Sequence, residues 1–243
     1  MIIDPDNSHA ELKLLHFFKH NELECSRIIS AISHDLSNPV AVLKSNIQLL
    51  RNNNNGNKLN EEVLSMCDES IEELARFLDN IRLVNSSIQY KIKPKFSIFK
   101  IEDILNDQFY SVENLDHKRI SIQTNLEFKE FTSDLDFLRR ILLNLLTNAL
   151  KFSRNEVKLR ISAIQSNLEF VVQDSGIGIP ENEIDQIFNP FSRASNIKKT
   201  PGIGLGLSIV KTLTESLDGH IYINSLINKG TIIQIVIPNG QTS

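Results

Sequence analysis

The stretch from Asp134 to Phe152 has the sequence DLDFLRRILLNLLTNALKF and decides how the second half of this 243-residue chain folds. Its apolar residues recur every three or four positions, which predicts a largely buried helix over residues 136–151. The side chain of Asp134 can cap its N-terminus. Asn144 and Asn148 lie one turn apart on one helical face. Because amides on a buried helix need partners, we expect these two to face a ligand.

Alternating and periodic segments on both sides of this helix predict the other elements of the same domain. Strands are predicted at residues 120–126, 157–163, 168–173, 221–224 and 231–237, and further helices at 101–115, at 206–217 and from Pro180 onward. The second and third strands form one β-hairpin, and the last two form another. Because antiparallel pairs interleave with helices, we expect an α/β sandwich with one mixed sheet under a helical layer.

The N-terminal part of the chain has a longer apolar period. Apolar residues recur at spacings of three and four over residues 29–50 and 64–88, and an Asn-rich turn lies between them at 51–60. A single hairpin cannot bury both apolar stripes, so a dimeric four-helix bundle, and hence a homodimer, is the expected state. The chain is therefore predicted to contain an all-α helical hairpin domain at 1–92 and an α/β sandwich domain at 93–243.

Composition narrows the classes of function. A formal net charge of -4 and a pI near 5.9 give no general attraction to nucleic acid or anionic lipid. No apolar run approaches the roughly 18 residues that span a bilayer, so we expect a cytoplasmic chain, with membrane attachment only through a sensor region absent from it. The predicted hairpin separates Cys25 from Cys67 by roughly 28 Å, which excludes an intrachain disulfide and predicts reduced thiols.

Two glycine motifs follow the helix that carries Asn144 and Asn148. The sequence DSGIG at 174–178 ends a predicted strand, where glycines permit close ligand approach and the carboxylate can accept a hydrogen bond from an amino group. The sequence GIGLGL at 202–207 precedes a helix whose N-terminal N–H groups suit phosphate. No predicted strand directly precedes this second motif and its spacing differs from G-x-G-x-x-G, so a dinucleotide-binding Rossmann site is excluded.

A histidine with an acidic neighbour lies in the first predicted helix, within Ser33-His34-Asp35-Leu36-Ser37-Asn38-Pro39. Asp35 can take a proton from one ring nitrogen of His34 and leave the other free to attack phosphorus. Asn38 lies one turn further on the same face as His34, where its amide can orient water for dephosphorylating a partner. An ordinary exposed amide is the alternative for Asn38.

In their order and spacing, these motifs resemble those of the catalytic core of sensor histidine kinases. The matching segments are the H box at 33–39, the N box at 144–149, the G1 box at 174–178, the F box at 187–193 and the G2 box at 202–207. Residues 194–201 would form a short ATP lid. The resemblance implies catalytic roles for His34, Asp35 and Asn38, and ATP binding by Asn144, Asn148, Lys151, Asp174, Gly176, Gly178, Arg193, Gly202, Gly204, Gly206 and Leu207. Asp174 would bind the adenine amino group, and the side-chain oxygen of Asn148 would bind Mg²⁺ together with phosphate oxygens.

The resemblance implies autophosphorylation of His34 by ATP, with Mg²⁺ as cofactor and a response-regulator receiver domain as the partner whose aspartate then takes the phosphoryl group. The chain departs from the family pattern in having Asp35 where Glu is commoner and Ser37-Asn38 where Arg-Thr is frequent. Three alternatives stay open: a phosphotransfer scaffold that does not bind ATP, an ATPase or protein-serine kinase with a related ATP fold, and a regulator-directed phosphatase that uses Asn38 and can coexist with a kinase.

Overall fold

The computed structural model describes residues 29–30, 32–33, 36–51, 57–89, 93–105, 116–197 and 204–240. The chain divides into two compact units, the first extending to Leu78 and the second containing most residues from Asp79 onward. The expected domain boundary after residue 92 stays a prediction. None of the helices in the described ranges is both long enough and apolar enough to cross a membrane.

The N-terminal unit is helical in every described residue. Helix α1 comprises the helical residues 29–30, 32–33 and 36–51, and helix α2 runs from Asn57 to Gln89. Of the predicted turn at 51–60, residues 52–56 lie outside the described part, whereas residues 51 and 57–60 are helical, so the turn is shorter than predicted. Cys67 is a buried free thiol, as expected, and Cys25 lies outside the described residues.

Besides the last residues of α2 from Asp79 onward, the second unit contains seven strands and two α-helices in its described residues. The strands are β1 (Ser97–Lys100), β2 (Ile120–Leu126), β3 (Glu130–Ser133), β4 (Val157–Ile164), β5 (Asn167–Asp174), β6 (His220–Leu226) and β7 (Gly230–Pro238). The α-helices are α3 (Leu135–Phe152) and α4 (Gly206–Ser216), and short 3-10 turns occupy Ile101–Leu105, His117–Arg119 and Glu181–Glu183.

Five of these strands form one mixed sheet, which confirms the predicted architecture. Their order is β2-β4-β5-β7-β6, with β2 parallel to β4 and every other neighbouring pair antiparallel. Strand β4 alternates buried and exposed side chains at Val157–Arg160, the pattern of a strand with one face on the core. Helix α3 packs against α4, β4 and β5, so the two helices form the expected layer on the sheet.

Helix α3 is the centre of the core because its apolar face is almost fully buried. Leu138, Ile141, Leu142 and Leu146 have no exposed surface, and each such side chain contributes roughly 1.5–3 kcal/mol by leaving water. The carboxylate of Asp134 accepts a hydrogen bond from the Phe137 N–H at 3.0 Å, which confirms the predicted N-cap. The amides of α3 are therefore held on a rigid element.

Two strands were not predicted, and two predicted helices differ in the structure. The predicted strands omit β1 and β3, which pair as a separate two-stranded sheet, because four-residue strands are too short for a clear alternating pattern. The helix expected at 101–115 is a 3-10 turn at Ile101–Leu105, and 106–115 lie outside the described residues. The helix expected from Pro180 is one 3-10 turn at Glu181–Glu183 followed by further turns. Pro190 disfavours helical conformation at Asn189 and so limits the length that a helix could reach here.

Candidate functional site

Two half-buried amides of α3 face the start of α4. Asn144 Nδ2 donates a hydrogen bond to the Arg140 carbonyl within the helix at 2.8 Å. A Cβ atom at Gly206 would lie 3.2 Å from Asn144 Oδ1 and 3.2 Å from Asn148 Nδ2. The absence of a side chain at Gly206 thus lets the α4 backbone approach both amides. Among the described residues, no side chain or backbone group forms a hydrogen bond with the amide of Asn148, so its oxygen is available to a ligand.

The loop 174–178 connects the end of β5 to the end of α3. Asp174 Oδ1 accepts a hydrogen bond from the Gly176 N–H at 2.7 Å, and the Ile177 N–H donates to the Phe152 carbonyl at 3.3 Å. A Cβ at Gly176 would overlap this same carbonyl oxygen. Gly178 has a positive φ of 65°. Close backbone packing therefore requires both glycines.

Asp174 is half-buried at the head of this loop. Burial raises the pKa of its carboxyl above the ordinary value, while hydrogen bonds from the backbone of Gly176 and of Thr231 act in the opposite direction. A carboxylate that is partly desolvated and oriented by a backbone N–H is suited to accept a hydrogen bond from an amino group of a ligand.

Residues 191–197 join the loop 174–178 to the segment before α4. Asn196 Nδ2 donates to the Gly178 carbonyl at 2.8 Å, and the Phe191 N–H donates to the Gly204 carbonyl at 3.1 Å. The Ser195 N–H donates to Glu183 Oε2 at 2.7 Å, and hydrogen bonds from Ser195 lower the pKa of Glu183. Single polar residues such as Asn196 and Glu183 carry no sequence pattern that would have identified these roles.

These contacts close a ring within the second unit, which we call the motif ring. The end of α3 contacts the loop 174–178, this loop contacts residues 191–197, and residues 191–197 contact Gly204. The start of α4 then returns to Asn144 and Asn148 on α3. Three motifs that are far apart in the sequence therefore surround one location.

The other predicted site residues have less specific surroundings. Lys151 is exposed at the end of α3, with Nζ 5.4 Å from the centroid of the Phe152 ring. Arg193 is exposed and donates weakly to the Ile197 carbonyl at 3.5 Å. Asn38 is exposed on α1. Leu207 is half-buried in the first turn of α4, while His34, Asp35 and Gly202 lie outside the described residues.

Metal-binding side chains are sparse in this unit. Within the described ranges, no group of three or more His, Cys, Asp and Glu side chains is arranged to hold a metal ion. The hard oxygen donors in the motif ring are the side-chain oxygens of Asn144 and Asn148 and the carboxylate of Asp174, which we assign to the adenine base. One amide oxygen completes a Mg²⁺ site only when phosphate oxygens and water supply the remaining ligands.

Two known protein families match separate parts of the chain. Residues 26–87 match the His Kinase A (phospho-acceptor) domain, and residues 133–241 match the family of histidine kinase-, DNA gyrase B- and HSP90-like ATPases. The sensor protein kinase WalK of Staphylococcus saprophyticus is 31% identical over 229 residues, which cover 89% of this chain. The chain spans 37% of the length of that relative.

Solved structures share the fold. The Acinetobacter baumannii histidine kinase AdeS has a TM-score of 0.59 at 21% identity, with 86% of this chain and 98% of that chain covered. Full-length ShkA in complex with AMPPNP has a TM-score of 0.61 at 23% identity, with 90% of this chain and 46% of that chain covered. The chain thus belongs to the sensor histidine kinase family, of which it carries the catalytic core, a phospho-acceptor domain followed by an ATPase-type domain.

Proposed function

We propose that the second unit binds Mg·ATP at the motif ring and that the γ-phosphoryl group is transferred to His34. The convergence of Asn148, Gly206 and the loop 174–178 at one location carries this proposal. The adenine amino group donates to the carboxylate of Asp174. The triphosphate lies at the N-terminus of α4, where unpaired N–H groups and the helix dipole favour negative charge, and the first turn has no acidic side chain to repel it.

Asn148 is the residue that would hold Mg²⁺ in this arrangement. Its oxygen is a hard ligand, and the phosphate oxygens of ATP supply others. The bound ion would neutralise charge on the phosphates. Lys151 and Arg193 are exposed cations on two sides of the motif ring, and we assign them to phosphate contacts.

The transfer itself depends on position more than on covalent chemistry by the protein. A ring nitrogen of His34 forms a bond to the γ-phosphorus, the bond to the bridging oxygen breaks, and ADP leaves. Asp35 accepts the proton from the other ring nitrogen. The phosphoryl group then passes to an aspartate of a receiver domain. We assign to Asn38, which is exposed on α1 and follows His34 by four residues, the role of orienting water that hydrolyses this aspartyl phosphate.

Apolar side chains on α1 and α2 support assembly as a homodimer. Val40 and Ile47 on α1, and Leu64, Ile71 and Leu78 on α2, follow at intervals of seven and expose 39–53% of their surface. Intervals of seven are typical of helices that pack in a supercoiled bundle. A second copy of the helices would cover these stripes, and the four-helix bundle expected from the sequence would result.

As the pH falls, nucleotide binding should begin to weaken at a higher pH than it would if Asp174 had the pKa of an ordinary aspartate. The raised pKa of Asp174 means that its carboxylate is lost as pH falls through a value above 3.8, and the acceptor for the adenine amino group is lost with it. Asp174→Asn should bind ATP about 10- to 100-fold more weakly at neutral pH and lose this pH dependence. Isothermal titration with a non-hydrolysable ATP analogue measures both effects.

The melting temperature of Asp174→Asn provides the control for this binding experiment. Because the raised pKa means that the folded state disfavours the ionised carboxyl, Asp174→Asn should be at least as stable as the unmodified chain at neutral pH. Weaker binding by a variant of equal or higher melting temperature would support direct recognition. Unchanged affinity of Asp174→Asn at neutral pH would contradict it.

Labelling with γ-³²P ATP tests the proposed reaction. The chain should acquire a phosphoryl group that is labile to acid and stable to alkali, because a phosphorus–nitrogen bond hydrolyses when its nitrogen is protonated. A phosphoserine would be acid-stable, and an aspartyl phosphate would be lost in alkali. Label that is acid-stable would favour the protein-serine kinase alternative, and ATP hydrolysis without label would favour the ATPase alternative. Failure to bind nucleotide would favour the scaffold alternative.

The same labelled protein tests the partner class. Purified receiver domains should remove the label from the chain within minutes and carry it on an aspartate. Substitution of that aspartate by Asn in the receiver is the control. Label that stays on the chain in the presence of every receiver domain tried would contradict the proposed second step.

A further inference from the structure

Arg119 caps the C-terminal end of α3 and belongs to none of the sequence motifs described above. Its guanidinium donates to three carbonyls at and just beyond this end of the helix: Leu150 at 3.4 Å, Ser153 at 2.5 Å and Asn155 at 3.1 Å. A cation at a helix C-terminus is favoured by the helix dipole, and the planar fork of arginine can hold several carbonyls at once. Arg119 therefore fixes the last turn of α3 and also Ser153 and Asn155 just beyond it, whose carbonyls accept its two shorter hydrogen bonds.

The segment that Arg119 holds supports the loop 174–178. The Asn155 N–H donates to Ser153 Oγ at 3.1 Å, and Asn155 Nδ2 donates to Ser175 Oγ at 3.2 Å. One residue further along, Gly176 packs so closely on the Phe152 carbonyl that no side chain fits. A continuous set of contacts thus runs from the guanidinium through Asn155 to Ser175, the neighbour of Asp174.

We propose that Arg119 is a positioning residue for adenine recognition. It holds the end of α3 so that the carboxylate of Asp174 keeps its distance and direction relative to Asn148, which lies on the same helix. This inference rests on the proposed function, since it assigns Asp174 to the adenine and Asn148 to the Mg·triphosphate. Loss of the guanidinium would leave both groups present and change their separation, so a ligand that spans them would bind more weakly.

A second arginine provides a matched control. Arg139 is a residue of α3 near the N-terminal end of the helix. Its Nη2 donates to the Asp103 carbonyl at 2.7 Å, and its Nη1 lies 3.9 Å from Asp136 Oδ1. The Nε atoms of Arg119 and Arg139 are both buried without a hydrogen-bond partner among the described residues. Both guanidiniums are therefore partly buried and donate to backbone carbonyls, and of the two only Arg119 contacts the segment that supports the loop 174–178.

The test compares Arg119→Met with Arg139→Met in the full chain. Both should lower the melting temperature, because each removes charge-assisted hydrogen bonds to backbone carbonyls. Only Arg119→Met should raise the Kd for a non-hydrolysable ATP analogue, by about tenfold, with Arg139→Met within twofold of the unmodified chain. The preference for ATP over GTP should also narrow in Arg119→Met alone, because recognition of the base depends on Asp174.

Milder variants keep the test informative if Arg119→Met does not fold. Arg119→Lys retains the charge and lacks the fork, and Ser175→Ala removes the contact with Asn155, so both should weaken binding by about twofold to fivefold without unfolding. Equal Kd values for the Arg119 and Arg139 variants, or unaltered binding by Arg119→Lys and Ser175→Ala, would overturn the inference. Failure of the unmodified chain to bind the analogue would instead overturn the proposed function.

Discussion

Replacing Asn148 by Asp or by Ala is expected to abolish phosphorylation of the chain by ATP. The introduced aspartate would place a negative charge beside the proposed triphosphate position, and alanine would remove the hard oxygen that we propose as a Mg²⁺ ligand. Loss of one such electrostatic contact lowers the rate of a reaction by roughly 100- to 1,000-fold. The initial rate of γ-³²P incorporation measures this effect, and titration with and without Mg²⁺ should show that the metal no longer strengthens nucleotide binding by the Ala variant.

Thr147 is the matched control for Asn148. It is the preceding residue on α3, is also half-buried, and its hydroxyl donates to the Leu143 carbonyl of its own helix at 2.8 Å. Thr147→Ala should therefore retain most of the labelling. Because the side-chain amide of Asn148 forms no hydrogen bond within the described residues, its replacement should change the melting temperature little. Labelling by Asn148→Ala at a rate similar to that of Thr147→Ala would disprove the metal-binding role.

Replacing His34 by Gln is expected to remove all label while leaving nucleotide affinity unchanged. A glutamine amide resembles imidazole in size and polarity and has no lone pair able to attack phosphorus. The Kd for the ATP analogue should stay within twofold, because the motif ring, which we propose binds nucleotide, is built from the second unit. Autoradiography of the chain after incubation with labelled ATP, alongside titration of the same preparation, gives both values.

His220 is a suitable control because it is an exposed histidine of β6 in the ATPase-type domain. The chain contains six histidines, so loss of label must be shown to depend on position. His220→Gln should label at the rate of the unmodified chain. Acid-labile label on His34→Gln would place the phosphoryl group on another histidine and exclude the proposed nucleophile.

Strong local patterns explain why the larger elements could be predicted. The apolar period of residues 136–151 and the Asp134 cap both act within a few residues of the chain, and α3 is present within one residue of the expected bounds. The hairpin of β4 and β5 follows from alternation and a turn whose Gln165 and Ser166 have positive φ values. The elements that differ are short ones, such as β1 and β3, because their pairing is a contact between segments distant in sequence.

The candidate site, like the fold, was predictable from the sequence only where the signal is local. The residue types and spacings of the motifs predicted the family, which is confirmed, and they predicted Asn148, Asp174 and Gly206 as binding residues, which stays a prediction. Sequence alone also determined that His34 has an acidic neighbour, since adjacency in the chain is all that this requires.

Only the tertiary structure decided how the motifs meet and what supports them. Gly206 approaches two amides of α3, Asn196 bonds to the Gly178 carbonyl, and Arg119 holds the carbonyls at the end of α3. Each of these contacts joins residues with no shared periodicity, and the partner is a backbone atom in two of the three cases. Backbone groups are the same at every non-proline position, so the sequence does not distinguish the carbonyl that a side chain will contact until the fold brings the two together.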